Sequence, residues 1–530
     1  MSLFPVQPCV QRLLSTATLV LLSFLVGIPG SVASAAKPRE GEGPWNLTIF
    51  HTNDMHAAFL PQPASWREDR AEVGGLIALA WHLDDQRKDI TASILLDAGD
   101  FMTGNPICEI EVDGVRGAGF LDMLNLVGFD ASVVGNHEFD LGRKNARALA
   151  ARARFPLLAA DILNEAGDLE FDQAFVVLER GDLRIGIMGI SCNELFRLTT
   201  KSRTGGLSLR SQVTVVRDMI QQLDPETDLL VLITHNGVSG DEALATQLAG
   251  SGLDVIVGGH SHTRLNKPVL VDDIIIVQAG SKLQNLGRLD LQVADDRVVS
   301  YQGRLVPLLA AGTSASAELT HLVEEYRRRI DDEFGRVIGQ LQQGWHRATH
   351  RESNIGNWIA DRMRERAQCQ IAFMNAGGIR KDLPPGPITL LDMHEILPFA
   401  NSIVRFELDG AQLMTVLEEN ARAATTKAHG ILQVSGLRYS YRAVGDHVEL
   451  TEVEVGGQRL RKDRVYQIAA PDYVVAMADV YMNLQPSPAA IDLEVRLADA
   501  MIAAIQADMV VNAEVEDRIR DVTGTKAAER

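Results

Sequence analysis

The sequence contains few cysteines, with four in 530 residues. Cys9 precedes an apolar run near the N-terminus, which leaves Cys108, Cys192 and Cys369 in the rest of the chain. An odd and widely spaced trio cannot form a disulfide framework, and it allows at most one bridge, whose pairing the sequence leaves open. No CxxC or CxxH spacing indicates a structural zinc site. Stability is therefore expected to come from packing.

Positive charge is also scarce. The chain has 51 Lys and Arg residues against 70 Asp and Glu residues, for a formal net charge of −19. This balance excludes an extended nucleic-acid-binding surface, which requires a basic stripe. A small anionic ligand would need local positive charge, which metal ions and a few arginines can provide against the overall field.

Long apolar runs are nearly absent. One lies at 13–28, with Arg12 before it and the small residues Ala33-Ser34-Ala35 after it. This order predicts a signal peptide at 1–35, cleaved near Ala36; the alternative is an uncleaved anchor. Since no later run is apolar enough to cross a bilayer, we expect a periplasmic or secreted protein without stable membrane insertion after cleavage.

The remaining chain, roughly 490 residues, is long enough for two large or three small domains. Its first half repeats one pattern, in which a short run of aliphatic residues ends in a loop rich in Asp, Asn, His and Gly. The six runs lie at 47–50, 93–96, 131–134, 228–233, 253–257 and 274–277. Continuous apolar runs of this length predict strands buried on both faces, as in a layered α/β fold. Ligands of such folds bind beyond the carboxyl ends of the strands.

Five of the six runs are followed by side chains that can ligate a metal ion. These are Asp54, His56, Asp100, Asn136, His235, His260 and His262. A single histidine in such a loop is more often an ordinary turn or core residue, but five coincidences argue for a site. One residue separates Asp54 from His56, and one separates His260 from His262, so the two side chains of each pair can point to the same side of an extended segment.

The donor types indicate the kind of metal. Asp, Asn and His without any thiolate suit Mn, Zn, Fe, Co or Mg and disfavour copper or iron–sulfur centres. The carboxylate of Asp100 can offer its two oxygens to two cations. Seven candidate ligands are too many for one ion, so two divalent ions are predicted.

The motifs resemble those of the two-domain 5′-nucleotidase family of calcineurin-like metallophosphoesterases. The matching segments are DMH at 54–56, GD at 99–100, GNHEFD at 135–140, THNG at 234–237 and GGHSH at 258–262. The resemblance implies a four-layer α/β/β/α metallophosphoesterase domain at 45–310, followed by a smaller α/β 5′-nucleotidase C-terminal substrate-binding domain at 336–525.

A helix is expected between these two domains, at 315–335. Apolar residues recur there at helical spacing, namely Leu319, Leu322, Val323, Tyr326, Ile330 and Phe334. The resemblance implies that the helix links the domains, with the active site between them; the alternative is a helix packed wholly on the first domain.

The resemblance also implies roles for the loop residues. Asp54, His56, Asp100 and His262 would hold one metal, and Asp100, Asn136, His235 and His260 would hold the other. A metal-bridging hydroxide would attack phosphorus, because two neighbouring ions lower the pKa of a shared water. His137 would act on the leaving-group side, and Asp140 would orient its ring.

Further matches lie in the second half, in RESNIGN at 351–357, NAGGIR at 375–380, LPF at 397–399 and LQVSG at 432–436. The resemblance assigns Arg351 and Arg380 to substrate oxygens, Asn375 to base or sugar edges and Phe399 to one face of the base. Composition alone would make Phe399 a core residue and the arginines solvated surface charges.

One segment departs from the family pattern. The family has a loop of the Asn-Gly-Gly-Asp-Gly type after its second base-stacking aromatic residue, whereas 472–481 lacks glycine. Tyr473 still offers a ring, and Asp479 could still reach sugar hydroxyls. The segment must therefore differ in shape, which bears on recognition of the nucleoside.

The resulting hypothesis is a two-metal phosphohydrolase that acts on nucleoside 5′-monophosphates, with a small-molecule nucleotide as its partner. UDP-sugar hydrolysis and 2′,3′-cyclic-nucleotide hydrolysis are alternatives on the same scaffold, and a sulfur-oxidation hydrolase is a more distant one. A non-catalytic nucleotide-binding protein is a further alternative, but mere binding would not require a metal-activated nucleophile. The sequence leaves the oligomeric state open.

Overall fold

The computed structural model describes residues 43–64, 67–199, 201–445 and 447–524. They belong to one compact unit, Lys37–Arg530. The predicted signal peptide at 1–35 lies outside the described residues. None of the helices in the described part of the chain combines the length and the apolarity that a bilayer crossing requires.

Two six-stranded sheets form the centre of the first half. The first has the order Val298–Pro307, Asn285–Val293, Trp45–Thr52, Ser93–Asp97, Ala131–Val133 and Leu157–Leu158. The second has the order Phe175–Arg180, Leu183–Ile190, Leu229–Thr234, Val255–Val257, Ile274–Val277 and Val269–Val271. All six predicted apolar runs thus form strands.

The sheets face each other, and helices cover their outer faces. Neighbouring residues of a strand point to opposite faces, so Ile49 lies in the core between the sheets while Phe50 faces the first helical layer. The helices on the first sheet are Leu76–Arg87, Ala118–Val127 and Arg143–Arg152, and those on the second are Gln212–Leu223 and Val238–Leu248. This arrangement is the expected α/β/β/α fold.

An 18-residue helix, Ala317–Phe334, follows these layers. The Ser316 hydroxyl caps it by accepting a hydrogen bond from the Leu319 N–H at 3.2 Å. Its apolar face, which includes Val323 and Tyr326, packs into the helical core of the first half. At its end, the Phe334 ring meets His394 edge-on, with 4.9 Å between ring centroids. The helix therefore contacts both halves of the chain.

The second half is built on a five-stranded sheet with the order Leu432–Ser435, Ile371–Asn375, Val465–Pro471, Ser402–Asp409 and Ala490–Arg496. A four-stranded sheet (Gln458–Arg459, His447–Val455, Leu437–Val444, Ile519–Asp521) and a three-stranded sheet (Gly386–Thr389, Val337–Leu341, Val510–Val511) accompany it. The longer helices are Asn354–Ala367, Leu390–Ile396, Gly410–Thr426 and Leu497–Asp508. Met374 and Phe373 belong to different cores, one on each face of the large sheet.

The segment that departs from the family pattern is helical. It forms two short helices, Asp472–Ala476 and Ala478–Tyr481, directly after the strand Val465–Pro471. Val474 and Ala478 are fully buried and anchor these turns in the core. The chain thus forms helical turns at this position.

Candidate active site

The predicted metal ligands lie on loops at one edge of the two sheets. Trp45–Thr52, Ser93–Asp97 and Ala131–Val133 run parallel in the first sheet, and Leu229–Thr234 runs parallel to Val255–Val257 in the second. Parallel neighbours bring their carboxyl ends to the same edge. All seven predicted ligands, which are more than 200 residues apart in sequence at the extremes, therefore meet in one place.

The backbone at this edge is strained. Asp54, His56, Asp100, His260 and His262 all have positive φ, between 48° and 74°. Side-chain-bearing residues pay on the order of 1–2 kcal/mol for this conformation, and such strain persists where the surrounding structure enforces it. Gly259 is required for close packing rather than for its φ angle, because a Cβ there would collide with the Ala98 carbonyl and the His235 ring.

The side chains form two adjoining clusters. In the first, His262 Nε2 lies 3.3 Å from Asp54 Oδ1 and 3.0 Å from His56 Nε2. In the second, His235 Nε2 lies 3.0 Å from Asp100 Oδ2, and the His235 and His260 rings are 5.1 Å apart. Within each cluster the candidate ligand atoms lie within 4.8 Å of one another, a spacing that suits coordination of an ion.

The unsatisfied atoms of the site fit metal ions. Asp54 Oδ1 and Asn136 Oδ1 are buried without a hydrogen-bond partner, and His235 Nε2 makes no hydrogen bond although Asp100 is close. Leaving a buried polar atom unpaired costs about 1–3 kcal/mol. A cation at each cluster would satisfy these atoms together.

The outer ring nitrogens support the same conclusion. His56 Nδ1 lies 3.0 Å from the Thr103 carbonyl, and His235 Nδ1 lies 2.6 Å from the Ala98 carbonyl. A carbonyl fixes the proton on Nδ1, so Nε2 presents its lone pair to the cluster, as in metal-bound histidines.

Burial and neighbouring charges together set the pKa values of the site residues. Burial tends to raise the pKa of Asp100, but the neighbouring His235 and His137 hold it well below the usual range. Burial, reinforced by His262 and His137, holds the pKa of His56 well below its usual value. Burial also lowers the pKa of His235, but Asp100 outweighs it and raises the net value to about 10. The protein thus favours positive charge beside Asp100, which a metal ion would supply in place of a proton.

His137 and Asp140 form a hydrogen-bonded pair beside the clusters. His137 Nδ1 is 2.7 Å from Asp140 Oδ2, which also accepts a hydrogen bond from the Thr103 hydroxyl at 2.8 Å. The His137 N–H donates to Asp100 Oδ1 at 2.9 Å, so the pair is tied to the centre of the site. The Phe399 ring from the second half stacks on His137, with 5.6 Å between centroids and 19° between planes.

Sequence reasoning missed Glu138, between these two residues. Its buried carboxylate accepts hydrogen bonds from the N–H groups of Gly135 at 2.7 Å, Asp100 at 3.1 Å and Met102 at 3.2 Å. It therefore joins two of the ligand loops. A charged residue inside the GNHEFD segment was the signal that could have identified it.

A cavity of about 230 Å³ opens from the metal clusters toward the second half. Its lining consists of Asn136, His137, Asp140, Leu198, Arg203, His260, Asn375, Gly377, Arg380, Phe399, Asn401, Tyr473 and Tyr481. The cavity thus brings Asn375, Arg380, Phe399 and Tyr473 to the metal loops. The Arg380 guanidinium lies over the Phe399 ring, 5.7 Å from its centroid.

Two predicted substrate residues lie elsewhere. Arg351 is exposed and does not line the cavity. Asp479 is also outside the lining, and its carboxylate is 3.8 Å from the Arg197 guanidinium. Leu198, Arg203, Asn401 and Tyr481 line the cavity without having been predicted. The first three belong to no recognised motif, and Tyr481 ends the segment 472–481, in which only Tyr473 and Asp479 were assigned a role.

Comparison with known proteins agrees with this geometry. The profile described as calcineurin-like phosphoesterase matches residues 47–264, and the profile described as 5′-nucleotidase, C-terminal domain, matches residues 337–485. The chain therefore belongs to the calcineurin-like phosphoesterases, metal-dependent hydrolases that use two divalent ions. Within that class it is a member of the 5′-nucleotidase family, since it carries the C-terminal domain of that family.

Similar proteins match over most of their length. The chain is 25% identical to a 5′-nucleotidase of Vibrio cholerae, covering 88% of this chain and 91% of that protein. It is 26% identical to protein UshA of Yersinia enterocolitica, covering 90% and 92%. The structure of a 5′-nucleotidase precursor from Thermus thermophilus has a TM-score of 0.77 at 25% identity, covering 90% of this chain and 99% of that one.

Proposed function

We propose that the chain is an exported phosphohydrolase that releases phosphate from nucleoside 5′-monophosphates. The observation that carries this proposal is the single cavity that has the metal clusters at one end and Phe399 and Tyr473 at the other. Such a cavity suits a ligand with a phosphate at one end and a flat apolar ring at the other. The names of the relatives, 5′-nucleotidase and UshA, support the same substrate class.

The proposed metal ligands follow the two clusters. Asp54, His56 and His262 would hold one ion, and Asn136, His235 and His260 would hold the other, with Asp100 shared between them. When bound, the two ions supply Lewis acidity at the phosphoryl group and lower the pKa of water. The two ions are proposed to be Mn, Zn, Co or Mg, and resupply of each metal to the chelated protein identifies which of them supports activity.

The remaining residues are proposed to act on the phosphate end or on the base end of the substrate. His137 would donate a hydrogen bond or a proton to the leaving oxygen, and Asp140 would hold the ring in the orientation that permits this. Arg380 would bind phosphate oxygens, because a guanidinium offers two parallel donors to such groups. Phe399 and Tyr473 would bind the faces of the base.

Three further assignments stay proposals. Asn375, whose Oδ1 is buried without a hydrogen-bond partner, would contact a base or sugar edge. Arg351 and Asp479 lie outside the cavity lining, so contact with substrate would require both side chains to move.

The domain boundaries are proposed at 45–310 and 336–525, with the linking helix at 315–335. The cores of the first half contain residues from 47 to 330, and those of the second half contain residues from 338 to 513. Export to the periplasm or outside the cell is supported by the composition of residues 1–35.

Ester hydrolysis by the purified mature protein tests the function. Products would be separated by chromatography, because AMP and an aryl phosphate release phosphate, whereas UDP-glucose gives UMP and glucose 1-phosphate and 2′,3′-cyclic AMP gives an adenosine monophosphate. The protein would be stripped with a chelator, resupplied with Mn, Zn, Co or Mg, and given AMP, UDP-glucose, 2′,3′-cyclic AMP and an aryl phosphate. We expect metal-dependent release with a preference for AMP, and little release by the Asp100→Asn variant. Faster hydrolysis of UDP-glucose or of the cyclic nucleotide would reassign the substrate, and no metal-dependent hydrolysis of any of the four esters would refute the proposal.

A further inference from the structure

Arg203 occupies a central position that the proposed function does not yet explain. It lies on the short helix Lys201–Thr204 of the first half, and its side chain is 15% exposed. It lines the substrate cavity together with residues of both halves. Because most of this side chain is removed from water, its contacts must offset the cost of desolvation.

Two nitrogens of Arg203 reach two different elements. Nη1 donates to Asp140 Oδ1 at 3.3 Å, and Nη2 donates to the Ala400 carbonyl at 2.7 Å. Asp472, in the first turn of a helix of the second half, lies close enough that Arg203 opposes the rise in pKa that burial imposes on its carboxyl. The side chain therefore joins the first half to the Ala400 segment of the second half and lies near Asp472.

The Asp140 contact completes the hydrogen bonding of that carboxylate. Its other oxygen, Oδ2, is taken by His137 Nδ1 and the Thr103 hydroxyl. With Oδ1 held by Arg203, both oxygens are fixed, and the carboxylate cannot rotate without losing at least one partner. The orientation of the His137 ring follows from that of the carboxylate.

The Ala400 contact concerns the opposite end of the cavity. Ala400 directly follows Phe399, whose ring stacks on His137. The same guanidinium thus holds the carboxylate that orients His137 and the backbone that carries the aromatic ring. Among the described residues, Arg203 is the side chain that hydrogen-bonds to both Asp140 and Ala400.

We propose that Arg203 is a positioning residue that couples the His137–Asp140 pair to the loop that carries Phe399. Seating of this loop against the first half places a carbonyl at Nη2, and this holds Nη1 against Asp140. His137 is then correctly oriented only while the aromatic end of the cavity is closed. The inference rests on the proposed function for its substrates, but the contacts themselves do not depend on the identity of the ester.

Kinetics of Arg203→Met, Arg203→Lys and the control Arg210→Met would test the proposal. Arg210 is close in sequence, and its guanidinium is 3.4 Å from Asp218, away from the cavity. We expect Arg203→Met to lower kcat by about 10- to 100-fold for AMP and the aryl phosphate, because small misplacements of a catalytic group cost this much. KM should rise for AMP alone. Arg203→Lys should recover only part of the loss, since an ammonium cannot reproduce the two-nitrogen fork.

A double-mutant cycle with Asp140→Asn distinguishes positioning from general damage. If Arg203 acts through Asp140, Arg203→Met should lower kcat for the aryl phosphate by less than about threefold in the Asp140→Asn background. Independent, multiplicative losses would overturn the proposal. So would full activity of Arg203→Met, or a loss of activity that merely parallels a lower Tm.

A spectroscopic measurement tests whether Arg203 positions His137 even if none of the esters is hydrolysed. The Nδ1–H proton of His137 should give a downfield NMR signal, identified by its absence in His137→Ala. We expect its exchange with water to accelerate about tenfold in Arg203→Met and to be unchanged in Arg210→Met. Unchanged exchange in Arg203→Met would overturn the proposal, whereas failure on AMP with normal aryl phosphate turnover would refute only the nucleotide assignment.

Discussion

Several interactions converge on the imidazole of His137. Its ring is hydrogen-bonded to Asp140 and stacked on Phe399, and its backbone N–H is bound to Asp100. Its Nε2 is 3.8 Å from Asp100 Oδ2. The residue is therefore close to the metal clusters, yet its side chain has partners of its own.

Substitution of His137 separates catalysis from metal binding. We expect His137→Ala to retain two metal ions per chain and to lose about 10²- to 10⁴-fold in kcat, the usual contribution of a positioned acid or base. Elemental analysis and steady-state kinetics on AMP measure the two quantities. Loss of one ion would identify His137 as a ligand instead, and full activity would remove it from the mechanism.

Asp254 should make stability depend on pH. It lies just before the strand Val255–Val257 and accepts a hydrogen bond from the Leu230 N–H at 2.9 Å. Burial, with Asp296 and Asp224 nearby, raises its pKa to about 7. The folded state then binds a proton that the unfolded state has released, so this contribution to stability is complete below about pH 4 and is lost as pH rises through about 7.

The Asp254→Asn variant removes that dependence while keeping an acceptor for Leu230. We expect its free energy of unfolding, relative to the original chain, to be higher at pH 8 than at pH 5 by roughly 2 kcal/mol. Urea unfolding at the two pH values gives this difference. The same relative stability at both would show that the carboxyl titrates normally.

At the scale of elements, the second half brings aromatic rings to the cavity from two separate segments. Phe399 follows the helix Leu390–Ile396, and Tyr473 lies in the helix Asp472–Ala476. Tyr473 meets Tyr481 edge-on, with 6.1 Å between centroids, so the glycine-free segment supplies two phenols.

Truncation of either ring should affect nucleotides selectively. We expect Phe399→Ala and Tyr473→Ala to raise KM for AMP by about tenfold, because stacking of a base on an aromatic ring contributes about 1–3 kcal/mol. KM for the aryl phosphate should change little. Equal losses on both substrates would contradict the assignment of these rings to the base.

Packing of the linking helix on its neighbour gives a test of the fold. Gly119, in the helix Ala118–Val127, faces the ring of Tyr326, and a Cβ at this glycine would collide with that ring. We expect Gly119→Ala to lower the free energy of unfolding by about 1–3 kcal/mol. In a Tyr326→Ala background the same change should be neutral or stabilising, because alanine favours helix over glycine by about 1 kcal/mol. Equal effects in both backgrounds would contradict this packing.

The strands and the metal loops were predictable because their signals are local. An apolar run such as 228–233 indicates a buried strand by itself, and the order of the polar loops indicates a shared edge. Positive φ at Asp54 or His262 was not predictable, since only a few per cent of non-glycine residues adopt it and the surrounding loops enforce it here.

Residues recruited by tertiary contact alone carried no signal. Arg203 and Ala400 are 197 positions apart, and neither lies in a recognised motif. Tyr481 reaches the cavity because the segment after Tyr473 closes into helical turns, which the absence of glycine did not specify. Arg351 lies in a recognised motif and Asp479 in the segment that replaces one, but the position of a residue in the sequence does not determine how far its side chain lies from the cavity.

At the scale of the whole molecule, bound metal should contribute to stability. The clusters place carboxylates and histidine rings side by side in a mostly buried site, where Asp54 Oδ1, Asn136 Oδ1 and His235 Nε2 have no hydrogen-bond partner. A ligand that binds only the folded state stabilises it, by about 2.7 kcal/mol at a concentration 100 times Kd. Chelation should therefore lower Tm of the original chain by roughly 3 °C.

The Asp100→Asn variant is the matched control for this effect, because it weakens both clusters with almost no change in volume. Its Tm should depend little on the chelator in thermal unfolding followed by circular dichroism. A Tm of the original chain that is indifferent to chelation would show that the site is not metal-loaded under those conditions.

The three described cysteines, Cys108, Cys192 and Cys369, are free and buried. Burial raises the pKa of the Cys108 thiol to about 12 and that of the Cys369 thiol above its ordinary value. A thiol reagent that requires both access and thiolate must therefore wait for the chain around each sulfur to open. Cys108 and Cys192 lie in the first half and Cys369 lies in the second. The labelling rates of these cysteines therefore report separately how often each half of the molecule opens.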